Sequence, residues 1–150
     1  MRAVLQRVRQ AEVTSDGRVT GSIGPGLVIL LGIATDDGPA DRDWLIQKIL
    51  GQKIFEDAEG KMNLDVVAAE GGLLVVSQFT LLASTRKGTK PSWHRAAGPG
   101  VACPLYEDFV SHLAVAAGRE VATGIFGEEM LVSILNEGPV TLILDSRLKE

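Results

Sequence analysis

The chain has 150 residues, which fits one compact domain, and its hydrophobic fraction of 45% is enough to bury a core. Its single cysteine, Cys103, excludes an internal disulfide and points to a reducing, cytoplasmic setting. A net charge of −4 argues against a protein that grips long stretches of nucleic acid, and no apolar run is long enough to span a bilayer.

In chain order, Ala3 to Val8 reads as a strand. Val13 to Ser15 and Arg18 to Thr20 flank Asp16-Gly17, a dipeptide suited to a two-residue hairpin turn. A second turn at Gly24-Pro25-Gly26 leads into Leu27 to Leu31, a continuous apolar run expected to be a strand buried on both faces. The period then changes. Leu45, Ile46, Ile49 and Leu50 form a helical stripe, with Asp36 or Asp37 as cap, Pro39 near the first turn and Gly51 at the end. Lys53 to Glu56 predicts a short strand closed by a turn at Glu59-Gly60. Leu73 to Leu82 predicts a long apolar strand with Ser77, Gln78 and Thr80 near its end. Ala83 to Gly100 is loop. Leu105, Phe109, His112, Leu113 and Ala116 make a second helical stripe ending at Gly118, and Glu120 to Thr123 follows as a strand. Met130 to Leu135 and Val140 to Leu144 close the chain as two strands separated by Asn136-Glu137-Gly138-Pro139. The expectation is one mixed α/β domain, largely antiparallel β-sheet with two main helices.

Familiar catalytic sets are missing. There is no Gly-x-Ser-x-Gly elbow, no Walker loop and no Gly-x-Gly-x-x-Gly. Two histidines and one cysteine give no zinc-ligand spacing, so neither a metal nor a cofactor is expected. His112 lies on an apolar stripe and reads as a packed or boundary residue. Cys103 before a helix fits an activated thiol, but a merely tolerated small side chain is the better reading.

Three polar features stand out. Ser77-Gln78-Phe79-Thr80-Leu81 places hydroxyls and backbone N–H groups at a sheet rim, where freed N–H groups bind a developing oxyanion. The alternation alone favours an ordinary edge strand with its polar residues in water. Asn136-Glu137-Gly138-Pro139 gives close backbone access at Gly and a fixed φ at Pro, although locally a plain hairpin turn is favoured. The loop from Arg86 to Arg95 gathers Arg86, Lys87, Lys90 and Arg95 around Trp93 in an acidic protein. It suits either a phosphate backbone with one stacked base or a solvated loop anchored by Trp93.

Taken together and in this order, these features resemble the D-aminoacyl-tRNA deacylase family. The resemblance runs from Met1-Arg2-Ala3-Val4-Leu5-Gln6-Arg7-Val8 through Gly60-Lys61-Met62-Asn63-Leu64 and Ser77-Gln78-Phe79-Thr80-Leu81 to Gly138-Pro139-Val140-Thr141. The departure is Trp93, where the family more often has Phe. The resemblance implies a tight homodimer with two interface active sites. It implies a catalytic site at Ser77, Gln78, Phe79 and Thr80 that works mainly through the backbone of Phe79 and Thr80, helped by the 2′-hydroxyl of the terminal adenosine. It also implies a cis Gly138-Pro139 bond inserted into the partner subunit's pocket to reject L-amino acids, and tRNA contacts from Arg86, Lys87, Lys90 and Trp93. The implied reaction is ester hydrolysis of D-aminoacyl-tRNA, and of glycyl-tRNA mischarged on the alanine tRNA, as a proofreading step. The implied partner is aminoacyl-tRNA, with neither DNA nor membrane. Two rivals remain at this stage: an acyl hydrolase using Ser77 or Thr80 with His94 as base, and a non-catalytic RNA-end binding module.

Overall fold

The structure, a computed structural model, describes residues 1–149. Its organising strand is β1 (Arg2–Ser15), which the sequence showed only at its two ends. Asp16 and Gly17, both at positive φ (47° and 72°), turn it into β2 (Arg18–Ile23) as the dipeptide predicts. β3 (Gly26–Gly32) pairs antiparallel with the first half of β1, and β2 pairs with the second half. The two therefore share one hydrogen-bonding edge of β1 in succession. Its other edge is taken along nearly the whole length by β8 (Leu131–Asp145). β6 (Gly72–Ser77) joins β3 in parallel, and the short β7 (Ala122–Thr123) joins β6. β4 (Phe55–Glu56) and β5 (Met62–Leu64) form a separate two-stranded ribbon, of which the sequence reading found only the first strand.

Both faces of β3 and β6 are buried, as the unbroken apolar run requires. One face sends Leu27, Ile29, Leu31, Leu73 and Val75 against α1 (Pro39–Leu50) and α2 (Pro99–Ala117), where Leu45, Ile49, Phe109 and Leu113 meet them. The opposite face sends Val28, Leu74 and Val76 against Val8, Ala11 and Val13 of β1. The sheet curls so that the far half of β1 covers the face turned away from the helices. This is the expected mixed α/β fold.

Several local expectations are corrected. The N-cap of α1 is Gly38, not Asp36 or Asp37. The Asp41 carboxylate reaches back to accept the Gly38 N–H at 3.0 Å. Asp37 is committed elsewhere, accepting from the Met1 ammonium at 2.6 Å and from the Ala34 N–H at 2.7 Å. On α2 the buried stripe is Ala102, Tyr106, Phe109, Leu113 and Ala117, while His112 and Ala116 face water. The helix also starts at Pro99, inside the predicted loop.

The other two corrections lie at the site. Leu73 to Leu82 is not one strand: β6 stops at Ser77 and a 3-10 turn occupies Phe79–Leu82. Its template runs out there, because Leu31↔Ser77 is the last register pair with β3. Nor are Met130–Leu135 and Val140–Leu144 the arms of a hairpin. Both pair with the same strand β1, and the segment between them arches out of one continuous β8. No helix among the described residues is long and apolar enough to cross a membrane.

Candidate active site

Where β6 leaves the sheet, its backbone changes direction at Gln78 (φ −143°, ψ 72°). The Gln78 N–H still donates to Leu31 O at 2.7 Å, the last tie to β3. The 3-10 turn then closes with Leu81 N–H donating to Gln78 O at 3.1 Å and Ala83 N–H to Thr80 O at 3.1 Å. The N–H groups of Phe79 and Thr80 precede the first of these bonds, so neither has a partner within the turn. The Gln78 side-chain amide donates to the Thr80 hydroxyl. Phe79 is 55% exposed, a costly position for a phenyl ring, and meets Trp93 edge-on at 5.4 Å between centroids.

This rim borders a cavity of about 550 Å³. Its floor is apolar, from Leu31, Val76 and Ala102. One wall is Phe126, Met130 and Val132, and the other is the loop residues Trp93, Ala96 and Ala97. Ser77, Gln78 and Glu128 supply the polar side chains. The loop wall is held by Ala97 N–H donating to Ile33 O at 2.9 Å and Thr35 N–H to Arg95 O at 3.2 Å. Below it, the Tyr106 hydroxyl donates to Val75 O at 2.9 Å and ties α2 to β6. Burial, with a smaller contribution from nearby Cys103, pushes the Tyr106 pKa up to about 12, so the phenol stays neutral.

Of the predicted site residues, Ser77, Gln78, Phe79 and Trp93 line this cavity, and Thr80 adjoins it. Arg86, Lys87 and Lys90 sit beyond a small ladder between Ser84 and Ser92, exposed and outside the lining. His94 points its Nδ1 at the Ser92 hydroxyl at 2.9 Å, so the Ser–His or Thr–His pair required by a side-chain nucleophile is not formed. The Cys103 thiol is pushed up by burial and by the neighbouring Glu107 carboxylate, the reverse of an activated thiol.

Gly138 and Pro139 are also outside the lining of this cavity among the described residues. They crown the arch of β8, where Glu137 to Val140 stand opposite the single residue Arg7. Their peptide bond is cis, and Gly138 has φ +119°. Arg7 is buried beneath the arch. Its guanidinium donates to Ile54 O at 2.5 Å and, at the limit of a hydrogen bond, to Glu137 O at 3.4 Å. Arg9 pairs with the Glu137 carboxylate at 2.7 Å.

Sequence reasoning missed the wall from Phe126 to Val132. The only local signal was a phenylalanine between Gly124 and Gly127, which by itself specifies a turn and no chemistry.

A cavity at a strand end, bordered by unpaired backbone N–H groups and lacking a nucleophile–base pair, suits hydrolysis of an already activated carbonyl by a positioned water. Comparison with known proteins gives this arrangement a family. The profile described as D-Tyr-tRNA(Tyr) deacylase matches residues 4–145. The chain is 57% identical to the D-aminoacyl-tRNA deacylase of Opitutus terrae and 49% identical to that of Bacteroides thetaiotaomicron, each over 100% of both chains. Among solved structures it is similar to the c-Myc DNA Unwinding Element Binding Protein, with a TM-score of 0.91 and 38% identity over 97% of this chain and 98% of that one. On the family profile and the full-length likeness of its relatives, the chain belongs to the D-Tyr-tRNA(Tyr) deacylase family.

Proposed function

We propose that this protein hydrolyses the ester joining a D-amino acid to the end of a tRNA, a proofreading reaction of the cytoplasm carried out by a single domain. The observation that carries the reading is the 3-10 turn at the rim of the cavity, with the Phe79 and Thr80 N–H groups unpaired within the turn. They receive the ester carbonyl as it becomes an oxyanion. Ser77 and Gln78 position the acyl end, and the substrate's own 2′-hydroxyl assists the attacking water. An aminoacyl ester is activated enough for this to suffice.

Chirality is read by rejection. The carbonyl oxygens of Gly138 and Pro139 crowd an L side chain and leave a D side chain room, so glycine, which has no side chain to crowd, is also accepted, as in glycyl-tRNA mischarged on the alanine tRNA. These carbonyls reach a cavity only if a second copy of the chain supplies them. The outer face of β8 supports such a homodimer. It is an edge strand that exposes Leu131, Leu135 and Ile143 at 73%, 59% and 71%. Arg86, Lys87 and Lys90 hold the tRNA backbone near its end, and Trp93 stacks on a base.

The test is ester loss from D-tyrosyl- and L-tyrosyl-tRNA with the purified protein. Rapid loss of the D form alone is expected, and Ser77→Ala and Thr80→Ala retain measurable turnover. Loss of neither ester above the buffer rate would refute the reading and leave an RNA-end binding module in its place.

A further inference from the structure

The rim turn Phe79–Leu82 is too short for its own bonds to fix where its N–H groups point. It is tied at its start by the Gln78 N–H donating to Leu31 O. Its base packs on the last residue of β3, where a Cβ on Gly32 would stand 2.4 Å from Leu82 Cδ2 and 3.0 Å from Gln78 O. The far end needs another tie. Continued 3-10 geometry would have the Ser84 N–H donate to Leu81 O, but that N–H donates to Ser92 O at 2.8 Å. Arg2 takes its place, with Nη1 donating to Leu81 O at 2.7 Å. Among the described residues it is the one charged side chain that hydrogen-bonds the turn. Arg2 is itself firmly held. Its backbone lies in the sheet between Gly32 of β3 and Asp145 of β8. Its Nε and Nη2 both reach Asp145 Oδ2, at 2.9 and 2.7 Å, and Asp145 Oδ1 accepts the Arg147 N–H at 2.9 Å. The two side chains are 25% and 14% exposed, so water competes little for the pair. A guanidinium locked on a carboxylate presents its remaining nitrogen in a fixed direction.

We propose that Arg2 is a positioning residue for ester hydrolysis: through Leu81 O it holds the rim turn so that the Phe79 and Thr80 N–H groups stay aimed where the oxyanion forms. The proposal rests on the deacylase reading and deepens it. Arg2 lies outside the cavity lining and acts only through the turn. Hydrogen bonds from the two N–H groups strengthen as negative charge develops on the carbonyl oxygen, so their aim matters most in the transition state. Binding of the tRNA draws on other contacts. Loss of the Arg2 tie therefore falls on kcat and spares KM.

The test measures kcat and KM for D-tyrosyl-tRNA in the wild type, Arg2→Met and Arg2→Lys, at a temperature well below each unfolding midpoint. Arg2→Met keeps most of the stem and removes every donor. Its kcat should fall by roughly ten- to a hundredfold, the effect of a misaimed group, while KM stays near the wild-type value. Arg2→Lys should restore part of kcat, because one ammonium cannot serve Leu81 O and Asp145 with the geometry of the fork. Wild-type kcat in folded Arg2→Met overturns the proposal, since a residue that only stabilises the fold lowers the unfolding midpoint and leaves kcat alone. A rise in KM at constant kcat overturns it too and assigns Arg2 to substrate binding. Should Arg2→Met not fold, Asp145→Asn decides in its place. It keeps the donor and loosens its anchor, so kcat should fall by a smaller factor at unchanged KM, and an undiminished kcat overturns the proposal. If the wild type does not cleave D-tyrosyl-tRNA, the deacylase reading itself fails, and this proposal with it.

Discussion

Gly138 shows how much a single residue constrains the arch. At φ +119° it occupies backbone space that L side chains rarely adopt, and a Cβ there would stand 2.8 Å from Val140 Cγ2 and 3.2 Å from the Arg7 guanidinium. Gly138→Ala is expected to lower stability by roughly 1–3 kcal/mol, measured by urea unfolding. Because the arch must shift to admit the methyl group, the ratio of D- to L-tyrosyl-tRNA hydrolysis should fall in the folded variant. Tyr106 gives a contrasting case beneath the site. Tyr106→Phe removes the hydroxyl bonded to Val75 O and is expected to cost about 1 kcal/mol. Its D-ester turnover should match that of the wild type, since the hydroxyl braces a strand and does not line the cavity. A large fall in kcat would show that β6 needs that brace to hold its rim.

At the scale of elements, what the sequence revealed depended on whether local chemistry or a distant partner decided the conformation. Asp16-Gly17 encodes its own turn, and Leu27 to Leu31 encodes burial on both faces, so both were legible. The end of β6 was not. Leu81 and Leu82 are as apolar as the strand before them, and only the end of β3 pairing after Ser77 shows where the backbone departs. β8 was misread for the same reason. Gly138-Pro139 has the local chemistry of a turn, and nothing nearby reveals that β1 pairs with both flanks. The rim residues stood out as polar positions at the end of an apolar strand and took their catalytic role from the resemblance, whereas the Phe126–Val132 wall carried no motif at all. The cap of α1 failed on competition: Asp37 has the right chemistry for a cap but is taken by the Met1 ammonium.

For the whole molecule, charge is the property that can be tested most directly. With a net charge of −4, affinity for tRNA has to come from a local patch, and the exposed Arg86, Lys87 and Lys90 form one. Replacing all three with alanine should raise KM for D-tyrosyl-tRNA. It should also flatten the dependence of log affinity on log salt by roughly 2, given about 0.7 per single-strand phosphate contact. Acid stability follows from Asp41 and Asp145. Burial pushes both carboxyls up, but their hydrogen bonds and nearby positive charges prevail and hold both below the ordinary value of 3.8. For Asp41 the opposing groups are the Ser146 hydroxyl, the Gly38 N–H, the N-terminal ammonium and Arg147; for Asp145 they are the Arg147 N–H, the Arg2 guanidinium and the N-terminal ammonium. A depressed folded pKa contributes stability that is present above the unfolded value and lost as pH falls through the folded one. The urea midpoint should therefore drop below about pH 4, and Asp145→Asn should reduce that drop. The arch of β8 has a further consequence, for how the protein can vary. Its flanks are each secured to β1, and its own residues form no register pairs with that strand, so its length is uncoupled from the register of the sheet. Insertions and deletions there would lengthen or shorten the arch while the scaffold keeps its alignment, so under the proposed reading the element that presents Gly138 and Pro139 can vary without disturbing the sheet.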